Sequence, residues 1–171
     1  DTSRVEDNTK DKVVLGYVFV ENNLIQPEQI AARKLTHINY AFANIENGVI
    51  KKGFESDEQN FALLNSLKKE NPDLKVLISV GGWTWSGNFS DMALTEESRS
   101  KFAKSAAEFV RKYKLDGIDI DWEYPGLPGI GNTHRPEDKK NYTLLLKALR
   151  DELDKYEAED NKHYLTTVAA G

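Results

Sequence analysis

The chain has no cysteine among its 171 residues. Neither a disulfide framework nor a thiolate metal site can be built from it. Long hydrophobic runs are also missing, and none approaches the roughly 20 apolar residues of a membrane-spanning helix. Positive charge is in deficit: 23 Lys and Arg stand against 28 Asp and Glu, giving a net charge of −5. With a pI of about 5.3, the chain lacks the basic footprint of a nucleic-acid binder. Histidine is scarce. His37, His134 and His163 are scattered, and none sits with acids at a ligand spacing, so no metal or cofactor is expected. No segment repeats and none is of low complexity.

What remains is the composition of a globular domain, 39% hydrophobic and 30% charged. The length suits one domain with a sizeable core. Asp1 to Lys12 is polar and reads as a flexible lead, leaving 13–171 as the folded unit. Along that unit strand and helix signals alternate. Strands are expected at Val13–Val20, His37–Ala43, Lys75–Val80, Leu115–Trp122 and Tyr164–Ala170. Helices are expected at Pro27–Leu35, Asp57–Glu70, from the start signal Thr95-Glu96-Glu97-Ser98, and at Pro136–Tyr156, with a turn at Glu46-Asn47-Gly48. This alternation predicts an α/β fold with a parallel sheet covered by helices. Ligands of such folds bind at the carboxyl ends of the strands. Here those ends carry Glu21-Asn22-Asn23, Asn44, Gly81-Gly82-Trp83 and Glu123-Tyr124.

The stretch Asp116-Gly117-Ile118-Asp119-Ile120-Asp121-Trp122-Glu123 carries the chemistry. Asp119, Asp121 and Glu123 recur at a period of two, separated by Ile118, Ile120 and Trp122. On a strand this stacks three acids on one face and buries the apolar set on the other. An acidic edge strand kept soluble by its charge would favour Lys and outward charges instead. Crowded carboxylates push their pKa values apart, so one stays protonated while another stays ionised. Glu123, where the strand opens into a loop, is placed to reach a ligand. Its two acidic neighbours are expected to raise its pKa and suit it to general acid work.

Around this column, Ser79 is placed to donate to Asp119, and Gly81-Gly82 end the adjacent strand in a tight turn. Trp83, Trp85 and Phe89 crowd one loop; exposed rings there suit the apolar faces of sugars, whereas Phe89 reads better as core. Tyr17 and Phe42 end the first two strands and can line a site floor, though core packing is the default for Phe42. Asn88-Phe89-Ser90 and Asn141-Tyr142-Thr143 match the glycosylation sequon, a weak signal.

These residues resemble the N-terminal half of a family 18 glycoside hydrolase of the bacterial chitinase type. The signature D-x-x-D-x-D-x-E is met by Asp116, Asp119, Asp121 and Glu123, and S-x-G-G by Ser79, Gly81 and Gly82. Gly16-Tyr17, Tyr40-Ala41-Phe42 and Trp122-Glu123-Tyr124-Pro125-Gly126 add to the match. The resemblance implies a (β/α)8 barrel that cleaves β-1,4-linked N-acetylglucosamine polymers by substrate-assisted retention. It implies Glu123 as the acid, Asp121 orienting the 2-acetamido group and Asp119 sharing a proton with Asp121. Asp116, Ser79 and Tyr17 would support them, with Trp83, Phe42, Tyr124 and Gly82 about the substrate. The substrate would be chitin or its oligosaccharides, and the location extracellular. An endo-β-N-acetylglucosaminidase acting on glycoprotein glycans and a non-hydrolytic chitin-binding protein are the alternatives. A full barrel needs about 250 residues, and only about five strands and four helices are expected here. The sequence therefore reads as a half-barrel that is a fragment, a truncated gene product or a half completed by a C-terminal half or by self-association with another copy, with little or no activity expected of it alone.

Overall fold

The computed structural model describes residues 12–170; 1–11, with most of the polar lead, and 171 lie outside the described residues. Six strands form one sheet: β1 (Leu15–Phe19), β2 (His37–Glu46), β3 (Val49–Lys51), β4 (Lys75–Gly81), β5 (Gly117–Asp121) and β6 (Leu165–Val168). β1, β2, β4, β5 and β6 lie side by side in chain order and all pair in parallel. The expected α/β architecture is therefore present as an open run of barrel-type strands. The helices are α1 (Asp57–Ser66), α2 (Phe89–Ala93), α3 (Glu96–Lys112) and α4 (Asp138–Asp160).

Strand register explains the two faces. Ile38 pairs with Val76, Ile78 with Ile118, and Val80 with Ile120. These side chains share one face and are fully buried with Phe61 and Leu64 of α1, Phe102 and Ala106 of α3, and Leu145 and Leu149 of α4. The opposite, concave face carries the other set: Tyr17 opposite Asn39, and Ser79 opposite Asp119 opposite Thr167. The period of two thus sorts acid from apolar along β5 for Asp119 and Asp121, with Glu123 just beyond the strand's end. Along β1 the concave-side residues Leu15, Tyr17 and Phe19 are exposed.

The helix ends follow their local chemistry. Thr95 caps α3: its hydroxyl accepts the Ser98 N–H at 3.1 Å while the Ser98 hydroxyl accepts the Thr95 N–H, a reciprocal box with Ser in the usual Glu position. Glu96 and Glu97 in its first turn and Arg111 and Lys112 in its last complement the dipole. α4 stops at Asn161, which takes a left-handed φ of 47°.

Three elements differ from the sequence reading. Pro27–Leu35 is not a helix but two 3-10 turns, Pro27–Gln29 and Ala32–Lys34, parted by Ile30 in extended conformation. Within the two turns only Ala32 is buried, so the stretch has little apolar face against which a longer helix could pack. The turn Glu46-Asn47-Gly48 makes a hairpin, with Asn47 and Gly48 both at positive φ, so β2 runs on to Glu46 and pairs antiparallel with β3. Asn44, read as a strand end, lies inside that hairpin. The short α2 was not expected either. Its first residue Phe89 is fully buried and stacks on Trp122 at 5.2 Å, which settles it as core.

Candidate active site

The site sits where the concave face meets the carboxyl ends of β4 and β5. Asp119 is buried beneath it and accepts three hydroxyls from three strands: Ser79 at 2.8 Å and Tyr17 at 3.2 Å on Oδ2, and Thr167 at 2.6 Å on Oδ1. Ser79 and Tyr17 were expected there. Thr167 was not, although strand periodicity places it on the same face.

Asp121 lies one step nearer the rim and is also buried. Its Oδ1 has no hydrogen-bond partner among the described residues. Burial, then the adjacent Asp119 carboxylate, then the Glu123 charge push the Asp121 pKa up to about 8. The Asp119–Asp121 pair therefore keeps a proton to higher pH than free aspartates do, in line with the rule that stacked carboxylates cannot all ionise. The Asn39 Oδ1, buried on the same face, is likewise unpartnered. Buried polar atoms are nearly always paired, so two orphans on one face mark it as a place for an incoming polar group. Burial, partly offset by Asn39, pushes the Tyr17 hydroxyl up to about 12, which keeps it a donor.

Glu123 follows the strand and is half-exposed. Its backbone is held on both sides. The N–H donates to Ser86 Oγ at 2.9 Å. On the carbonyl side the loop after β5 folds back so closely that a Cβ at Gly129 would lie 2.5 Å from the Glu123 oxygen. That loop is anchored by the buried Asp138, which accepts the Gly126 and Arg135 N–H groups and the Ser90 hydroxyl.

Asp116 lies at the opposite end of β5 and does not join the site. Burial works to raise its pKa, but Lys68 at 2.6 Å, Lys162 at 2.9 Å and the Val76 N–H outweigh it and hold it below the usual range. Its part is to pin α1's end and α4's end to the strand.

The aromatic residues divide. Trp83 and Tyr124 are exposed beside Glu123, with ring centroids 6.3 Å apart. Trp85 turns the other way and packs on Phe54 at 5.4 Å; Phe54 and Phe42 both reach Phe19, at 6.5 and 5.9 Å. A register shift between Ala41 and Ala43 marks a bulge at Phe42, whose half-buried ring covers Gly82. Gly82 is buried there, and a Cβ on it would sit 2.8 Å from that ring. Gly82 thus packs under the Phe42 ring. Phe19 could have been found from its spacing of two from Tyr17; Ser86 and Phe54 lie in loops, where no periodicity points to them. In the sequons, Asn88 donates to the Ile45 carbonyl and Asn141 is buried. Among the described residues no His, Asp and Glu cluster is arranged to hold a metal ion.

Comparison with known proteins gives this geometry a context. Residues 13–171 match the family described as glycosyl hydrolases family 18. Chitinase A1 of Niallia circulans is 44% identical over 185 aligned positions, covering 81% of this chain and 26% of its own length. The solved chitinase ChiA74 from Bacillus thuringiensis superposes with a TM-score of 0.84 at 36% identity, over 92% of this chain and 35% of that one. A family 18 N-acetylglucosaminidase from Paenibacillus barengoltzii gives 0.81 at 45% identity, over 93% and 45% respectively. The chain thus spans less than half the length of each of these relatives.

Proposed function

Because the chain belongs to glycosyl hydrolase family 18, we propose that it carries the catalytic-acid part of an enzyme that hydrolyses β-1,4-linked N-acetylglucosamine polymers, chitin and its oligosaccharides. The observation that carries this reading is Asp121: buried, with Oδ1 unpartnered among the described residues, and with its pKa pushed up by burial and by the carboxylates of Asp119 and Glu123. A two-carboxylate glycosidase needs an ionised nucleophile beside its acid. A buried Asp121 with a raised pKa is poorly suited to that task. It is well suited to hold a polar substrate group that acts in its place.

In the proposed mechanism Asp121 orients the substrate's 2-acetamido group. Its carbonyl oxygen attacks the anomeric carbon as the glycosidic C–O bond breaks. The bonding pair leaves on the departing oxygen, which takes the proton of Glu123. The cationic oxazolinium that forms is stabilised by the Asp119–Asp121 pair. Water then attacks the same carbon, Glu123 now accepts its proton, and configuration is retained. Trp83 and Tyr124 offer apolar ring faces to sugars beside the cleavage point. An extracellular location fits an insoluble substrate of this kind.

The test is turnover of chitotetraose by the chain, alone and mixed with the remaining strands of a family 18 barrel. Products of retained configuration that disappear with Glu123→Gln support the reading. Hydrolysis that survives Glu123→Gln, or cleavage only of glycoprotein glycans, overturns it.

A further inference from the structure

Thr167 has no part in the mechanism above, yet it makes the shortest of the three hydroxyl bonds to the acid column. Its Oγ1 donates to Asp119 Oδ1 at 2.6 Å, whereas Ser79 and Tyr17 both donate to Oδ2. Of the three hydroxyls, only that of Thr167 reaches Asp119 Oδ1. The register places Thr167 directly opposite Asp119 on the next strand, so the contact is built by sheet pairing rather than by a loose side chain.

We propose that Thr167 is a positioning residue for the acid column: by holding Asp119 Oδ1 it fixes the charge of Asp119, directs the shared proton to Asp121, and leaves Asp121 Oδ1 free for a ligand. The inference rests on the reading of Asp119 and Asp121 as a working pair. The physical reason is simple. A hydroxyl can donate to an ionised carboxylate but gains less from a protonated one, so each donor favours the ionised form. With three donors on Asp119, a proton entering the pair is directed to Asp121. Remove the Thr167 hydroxyl and Asp119 loses the hydroxyl donor on its Oδ1. The proton can then sit between Asp119 and Asp121.

The charged and titratable groups around Asp119 bear on this. β1 supplies Tyr17, the end of β5 supplies Asp121 and Glu123, and α4 supplies Tyr142, whose hydroxyl is pushed up by burial and by the charges of Asp119 and Asp121. β2 and β4 contribute only the uncharged Asn39 and Ser79 at this level. No cation faces Asp119 among these, so hydroxyl donors are its main source of stabilisation.

The experiment is a carboxyl carbon-13 NMR titration of aspartate-labelled chain, comparing the parent with Thr167→Val, Thr167→Ala and Thr167→Ser. The Asp119–Asp121 pair titrates in two steps that belong to both groups. Thr167→Val keeps the side-chain shape and removes the donor. Hydrogen bonds to charged groups are the stronger kind, so the pair's proton affinity should rise by roughly tenfold, about one pH unit. Thr167→Ala repeats the reading if valine is not accommodated, and Thr167→Ser should restore the parent curve. Unchanged titration in both donor-less variants overturns the proposal, as does a serine variant that behaves like valine. The readout needs no substrate, so failure of the hydrolysis reading would leave it intact. Conversely, a chain that hydrolyses chitotetraose with an unmoved Thr167→Val titration removes only this proposal.

Discussion

Ser86 accepts the Glu123 backbone N–H at 2.9 Å and donates to the Gly82 carbonyl at 2.6 Å. It also lies 3.2 Å from the Asp121 carbonyl. One buried hydroxyl thus ties the loop that carries Trp83 to the segment that carries the acid. The backbone position of Glu123 is set by a residue outside the acid column.

Ser86→Ala should leave the Glu123 N–H and the Gly82 carbonyl without that partner. The cost to stability is about 1–3 kcal/mol for unsatisfied buried groups. Displacing a catalytic group by about 1 Å costs on the order of 10² in rate. We expect kcat on chito-oligosaccharides to fall by about that factor with KM little changed, measured by steady-state kinetics alongside thermal melting. A variant that loses stability but keeps kcat would show Ser86 to be structural only.

Glu123→Gln keeps the shape of the side chain and removes its proton. The expected loss in turnover is roughly 10² to 10⁴. Binding of chitotetraose, read by calorimetry, should persist, because Trp83, Tyr124 and Asp121 are untouched. Loss of binding in parallel with activity would argue that Glu123 holds the sugar rather than protonating it.

Much of this site is legible in the sequence because strands have a period of two. Asp119, Asp121 and Glu123 announce their shared face, and Ser79 and Tyr17 fall into place once the strands pair in order. Thr167 and Phe19 obey the same rule. Thr167 is not legible in the sequence, because one hydroxyl in a strand carries no signal without its partner across the sheet. Ser86, Phe54 and Asp138 act from loops and a helix start, where contacts arise from chain reversal. The hairpin at Asn47-Gly48 was marked by its turn residues, but its second strand, Val49–Lys51, is too short to show alternation.

Gly81→Ala tests the turn at the end of β4. Gly81 has a φ of 101°, and a Cβ there would lie 2.4 Å from the Phe89 ring and 2.6 Å from the Asp121 carbonyl oxygen. The backbone strain alone is of order 1–3 kcal/mol, and the rigid carbonyl leaves no cheap escape. Denaturant unfolding should show a loss of at least about 2 kcal/mol. A loss below about 0.5 kcal/mol, the range of neutral surface changes, would contradict the close approach.

The raised pKa of Asp121 makes a stability prediction with a definite sign. In the unfolded chain an aspartate titrates near 3.9; in the native protein burial, Asp119 and Glu123 push Asp121 up to about 8. Below about pH 4 both states hold the proton, and the native state has its full contribution from this group. Between about pH 4 and 8 the unfolded state has released the proton while the native state retains it, so stability from this group falls as pH rises. Above about 8 the native state carries the buried charge and the loss is complete. Asp121→Asn removes the titration and keeps the shape. Its stability relative to the parent should therefore climb between pH 4 and 8.5. The Tm of Asp121→Asn relative to the parent should rise by several degrees between pH 4 and pH 8.5. Parallel melting curves for the two proteins across that range give the difference directly. A gap that stays constant with pH would mean that Asp121 releases its proton at an ordinary aspartate value, and that the column does not share its charge in the way the geometry requires.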